Sequence, residues 1–151
     1  MLVTNHVLSG ALIGAAVRRP LPAAALGVVS HFALDAVPHW GKLGSRRDLL
    51  RVGVPDGLTG LAVIGAVTAI APRERRLAVL AGMAGAALPD LDKPSRVFFG
   101  RSPFPRAWDV FHTRIQDEAP DRFPHEVAAA VVLGAGALAL LRTRRRQALS
   151  G

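Results

Sequence analysis

Cysteine is absent from the 151 residues, so the chain has no disulfide framework, no thiolate metal ligand and no cysteine nucleophile. Any metal would have to be held by imidazole and carboxylate. Tyrosine is absent too, and aromatic residues make up only 5% of the chain, too few for the stacking platforms of a nucleic-acid groove. Lysine is scarce, since 17 of the 19 basic residues are arginine. No uncharged apolar run reaches the roughly eighteen residues that mark a spanning helix on their own. No internal repeat stands out, and the absence of a basic leader or small-residue cleavage site before Arg18 argues against a cleaved signal peptide.

What is present is apolar and small. Half the residues are hydrophobic and the mean hydropathy is +0.30, most of it from Ala, Gly, Val and Leu. The length suits one domain over residues 1–151. A formal charge of +8 could mean nucleic acid or lipid, but the arginines punctuate the apolar runs and do not gather on one helix face, so no nucleic-acid partner is expected. Apolar segments fall at 5–17, 21–37, 52–71, 77–89 and 124–141, and a basic tail follows at 142–151. Several reach spanning length by accepting polar residues turned into a bundle, Asp56 in the third and His31 and Asp35 in the second, with arginines snorkelling at the ends. Small residues four apart (Gly10 and Gly14, Gly82 and Ala86) fit close helix approach. The expectation is an all-α, polytopic membrane bundle of four to five short helices with a long ordered loop before the last one. That loop, 89–126, mixes prolines with Phe98, Phe99, Phe104, Trp108 and Phe111, which predicts a packed cap with a short helix near 106–116.

If all five segments cross, the N-terminus, the 35–56 connection and the 89–126 loop share one side. That side holds all five histidines and every acidic residue except Glu74. His31 and Asp35 are four apart and stack on one helix face; His39 would continue that face, but Pro38 takes it off the helix. Asp90 and Asp92 alternate about Leu91 and arrive at the same end, where His6 opens the first segment. Such a set suits a divalent ion, zinc first, with manganese, iron or magnesium also admitted, and water on it becomes a nucleophile near neutral pH. The expected ligands are His6, His31, Asp35, His39, Asp90 and Asp92, with Glu126 and His112 handling protons. Asp56 and His125 read as structural groups. A metal-free, hydrogen-bonded His31–Asp35 pair is the alternative that spacing leaves open.

These motifs resemble those of the bacterial membrane-bound, metal-dependent hydrolase-like proteins. The matching elements are Thr4-Asn5-His6 before a Gly-rich helix, Ser30-His31-Phe32 with Asp35, Pro38 and His39, the Pro89-Asp90-Leu91-Asp92 turn, and a later loop histidine, His112. The resemblance implies a multi-pass inner-membrane bundle with metal-dependent hydrolase activity. Relatives often carry His-Arg-Gly and then His-Ser after the turn; this chain departs from that element, with Phe111-His112-Thr113-Arg114-Ile115-Gln116 in its place. A more distant and local likeness links His31, Asp35, Pro38 and His39 to zinc-dependent phospholipases C and single-strand nucleases, which implies phosphoester or lipid-linked substrates. The function expected is a hydrolase in the lipid bilayer acting on a small-molecule or lipid-linked substrate. The competing class is a transport-type or structural membrane protein whose His/Asp cluster only holds or passes an ion. The oligomeric state is not legible.

Overall fold

The computed structural model describes residues 1–41 and 45–149, with side chains described as far as Thr143. Helix α1 (Val3–Ala16) stops short of Arg18-Arg19, and Pro20 opens α2 (Pro20–Asp35) at a position where its missing N–H would have had no intrahelical partner. Ser45 caps α3 (Arg46–Asp48), its hydroxyl accepting from Asp48 N at 3.1 Å. That short helix runs through a π-helical turn (Leu49–Gly53) into α4 (Val54–Ile70), giving one continuous helix over Arg46–Ile70. Next come α5 (Arg76–Ala87), a 3-10 turn (Leu88–Leu91), α6 (Asp92–Phe99), α7 (Arg106–Ile115) and α8 (Phe123–Leu149). Gly100 closes α6 in the left-handed region, φ 73°, the conformation a helix C-terminus gives to glycine. Two short strands, β1 (His39–Trp40) and β2 (Glu118–Ala119), pair in parallel.

α1 is the hub, packed by α2, α4, α5 and α8 around Val7, Ala11, Ala15, Val79 and Met83. Small residues make this possible. A methyl group on Gly10 would land on the carbonyl of Gly82, and one on Gly85 would land on the carbonyl of Ala24, so α5 lies almost backbone to backbone against α1 and α2. Charged side chains close the helix ends. Asp56 accepts from Val3 N at 2.6 Å, Thr4 N at 3.2 Å and Thr4 Oγ1 at 2.5 Å, capping α1 from another helix. At the opposite end Arg75 donates to the Ala15 carbonyl at 3.0 Å, and Arg76 donates to the Ala71 and Ala69 carbonyls that end α4.

The expected all-helical bundle is present, the five apolar segments become α1, α2, α4, α5 and α8, and the long loop holds the short helix expected near 106–116. Two features differ. Among the described residues only Arg46–Ile70 and Phe123–Thr143 are long and apolar enough to cross a membrane. α1, α2 and α5 have 14, 16 and 12 residues; at 1.5 Å per residue they rise about 21, 24 and 18 Å, short of a hydrocarbon core of about 30 Å. The basic tail expected at 142–151 is a continuation of α8 as far as Leu149, and residues 150–151 lie outside the described residues. The two long helices leave apolar side chains uncovered: Leu58, Leu61, Val131 and Val132 are 62, 65, 64 and 70% exposed.

Candidate metal centre

Four elements meet at one end of the bundle: the start of α1, the end of α2, the turn after α5, and α7. Helical spacing on α2 places His31 and Asp35 on one face, and both are buried. Asp35 is the hinge of the cluster. Its Oδ2 lies 3.2 Å from His31 Nε2 and 3.0 Å from His112 Nε2, while Oδ1 lies 3.1 Å from His6 Nε2 and 2.8 Å from the Met1 nitrogen. His31 Nδ1 donates to the Ala86 carbonyl at 2.7 Å, an acceptor only, so the proton sits on Nδ1 and the Nε2 lone pair points into the cluster. There it meets His112 Nε2 at 3.0 Å.

Two imidazoles and a carboxylate crowded this way fit a cation. Donor atoms of His31, Asp35, Asp90 and His112 lie within 4.8 Å of one another. Tetrahedral coordination with bonds of about 2.0–2.1 Å separates neighbouring ligand atoms by about 3.3 Å. The His31, Asp35 and His112 atoms form a triangle with edges of 3.0, 3.0 and 3.2 Å, close to that spacing. Asp90 Oδ1 stands off at 3.9 and 3.8 Å from the two nitrogens, so a small inward shift makes it the fourth corner. A His/Asp group able to hold a metal ion is therefore built into the fold.

The surrounding residues orient this group. Asp92 Oδ2 lies 3.6 Å from His112 Nδ1, the ring nitrogen facing away from the cluster, close enough to act on its charge but too far for a hydrogen bond. His6 stacks on His31 with centroids 3.8 Å apart and steadies Asp35 from the Oδ1 side. Phe32 packs edge-on against Trp108, Phe111 and His112, which clamps α7 onto α2. The β1–β2 pair sets His39 opposite Glu118. His39 Nδ1 donates to the Val37 carbonyl at 2.8 Å. Its buried Nε2 thus offers a lone pair 3.9 Å from Asp35 Oδ1 and 3.8 Å from Glu118 Oε1, with no hydrogen-bond partner among the described residues. On the far side, Lys93 Nζ pairs with Asp90 Oδ1 at 2.8 Å.

The charges respond to this crowding. Burial works against a charged His112, but the Asp35 and Asp92 carboxylates outweigh it and its pKa is raised to about 9. Burial also opposes an ionised Asp90; Lys93 and the nearby histidines more than compensate and hold its carboxyl below the usual range. The His39 imidazole lowers Glu118 despite partial burial.

Of the residues expected as ligands, His31, Asp35 and Asp90 stand in the four-residue group, and His6, His39 and Asp92 stand around it. His112, expected to handle protons, is placed among the potential ligands. Glu126 has its oxygens committed elsewhere: Oε2 accepts from Asn5 Nδ2 at 2.7 Å and Leu2 N at 3.0 Å, and Oε1 from Trp40 N at 3.2 Å. His125 is exposed with Nδ1 3.2 Å from the Pro38 carbonyl, and Asp56 caps α1, structural roles both. Glu118 and Lys93 were not singled out from sequence. Nothing periodic surrounds Glu118, and only the adjacency of Lys93 to the Asp90-Leu91-Asp92 turn could have flagged it. No family model, curated protein or solved structure matches this chain.

Proposed function

We propose that this chain is a membrane-embedded, metal-dependent hydrolase acting on phosphoester or lipid-linked substrates. The observation that carries it is the triangle of His31 Nε2, His112 Nε2 and Asp35 Oδ2, with Asp90 beside it. His31, Asp35, His112 and Asp90 would hold a divalent ion, zinc by donor chemistry, which would supply Lewis acidity to a water. The chain's own residues do the rest. His31 is held in the ligand tautomer by the Ala86 carbonyl, and the Asp92 carboxylate behind His112 electrostatically favours a proton on its outer nitrogen. The His39–Glu118 pair, free of other partners at Nε2 and with Glu118 a third exposed, takes up a proton and passes it to solvent. In this scheme the proton-handling role passes from Glu126 to His39 and Glu118.

A membrane location is supported by two span-length helices whose apolar windows are only 11% and 17% buried, unlike the core helix of a soluble domain. The resemblance of the Asn-His, His-x-x-x-Asp and Pro-Asp-x-Asp motifs to bacterial inner-membrane hydrolase-like proteins points the same way. A site at one end of the bundle, capped by α7, suits hydrolysis at the interface better than passage of an ion across it.

The test is metal content and turnover together. Protein purified in detergent should hold about one zinc per chain and hydrolyse bis(p-nitrophenyl) phosphate. Asp35→Asn and His31→Ala should lose both. A parent protein that binds no divalent ion, or variants that keep their metal, would sink the proposal.

A further inference from the structure

Beside the cluster runs a cleft of about 400 Å³, within the range of small-molecule sites. It lies between the start of α1, the π-helical turn, the first half of α4 and the start of α6, and Val7, Leu49, Leu61, Ile64 and Phe98 give it an apolar lining. Three charged side chains reach it: Asp56, Asp90 and Lys93. Asp56 is committed to the N–H groups of Val3 and Thr4. Asp90 and Lys93 are different, because Asp90 also belongs to the four-residue group and Lys93 sits 2.8 Å from it. One space is thus greasy along its length and opens onto the cluster at one end.

Two observations commit the cleft to a lipid. Its wall includes Val54, Leu58 and Leu61, which are 37, 62 and 65% exposed on a helix long and apolar enough to cross a membrane. The cleft therefore opens sideways onto acyl chains. The second is charge. Lys93 is the cationic side chain at the cluster end of the cleft, 2.8 Å from Asp90 Oδ1, and so stands where an anionic headgroup would meet it beside the four-residue group. We infer that the cleft binds a single-chain anionic lipid, a lysophosphatidic-acid type of phosphoester, with its chain along α4 and its phosphate at Lys93 next to the His31–Asp35–Asp90–His112 group. The assignment of a phosphoester rests on reading that group as a hydrolytic metal centre; the chain cleft does not.

Binding of fluorescent lysophosphatidic acid, and of the matching neutral monoacylglycerol, is measured on the zinc-loaded protein in nanodiscs of uncharged lipid. Gly57 lines the cleft and a Cβ there meets nothing within 4 Å, so Gly57→Phe adds a ring at the cleft wall with no clash at its Cβ, and Gly57→Ala serves as the folding control. Gly57→Phe should weaken both probes by about tenfold or more with metal content unchanged, while Gly57→Ala binds as the parent does. Lys93→Gln should weaken only the anionic probe. Unchanged binding in Gly57→Phe overturns the cleft, and equal losses for both probes in Lys93→Gln overturn the phosphate contact. If the parent holds no metal yet Gly57→Phe still expels the chain, the hydrolase proposal fails and the lipid cleft stands.

Discussion

A single carboxylate, Asp35, joins what would otherwise be separate pairs, because its two oxygens face different partners: His31 and His112 on one, His6 and His39 on the other. The protonation of His112 decides how that junction behaves without metal. With its pKa raised to about 9 from an ordinary 6.5, the charged ring stabilises the metal-free fold fully below pH 6.5, and that contribution is lost as pH rises through 9. The melting temperature in chelator should fall across that window. A cation replaces the proton, so zinc uptake at pH 7.5 should release a proton, read by calorimetry in buffers of different ionisation enthalpy. Uptake with no proton release would contradict the His112 assignment. Glu126 makes the contrasting prediction. Glu126→Ala removes an acceptor from the buried Asn5 amide and from the partly buried N–H groups of Leu2 and Trp40, so stability should drop by about 2–3 kcal/mol in denaturant titration while zinc stoichiometry holds.

At the level of elements, the bundle depends on glycine where α5 meets α1. Gly82→Leu would push a branched side chain into the Gly10 backbone, and overpacking of this kind costs about 3 kcal/mol or more. Loss of the folded monomer on size exclusion is the expected result. Asp56→Ala removes a cap supplied across helices and should cost about 1–2 kcal/mol without touching metal content. These elements also mark what the sequence could tell. The i, i+4 spacings of His31 and Asp35, of Gly10 and Gly14, and of Gly82 and Ala86, and the Pro38 boundary are local, and local spacing fixes which face a side chain takes. The roles of Asp92, Glu126 and Glu118 are not local. Each depends on which atom of a distant partner it meets: the outer nitrogen of His112, the N–H groups of α1 and β1, the imidazole of His39. A two-residue strand pair is too short to leave a pattern, so the route that delivers Glu118 was invisible before the fold.

The whole molecule is a compact set of short helices flanked by two long ones whose outer faces are bare hydrocarbon. Such a surface should keep the chain in membranes through an alkaline carbonate wash and release it only with detergent; recovery in the washed supernatant would contradict a membrane-embedded placement. The span of the cluster along the chain has a further consequence. His31 and His112 are 81 positions apart, and one rides on the rigid bundle while the other rides on the α7 cap. An ion seated between them would act as a cross-link, and closing a loop of that size in the unfolded chain is worth about 4–5 kcal/mol in the chain-entropy picture. The ion would then fasten the α7 cap to the bundle. Stripping it should expose the segment between α6 and α7 to protease well before the bundle opens, so that the ion site would also be the last fastening of the fold.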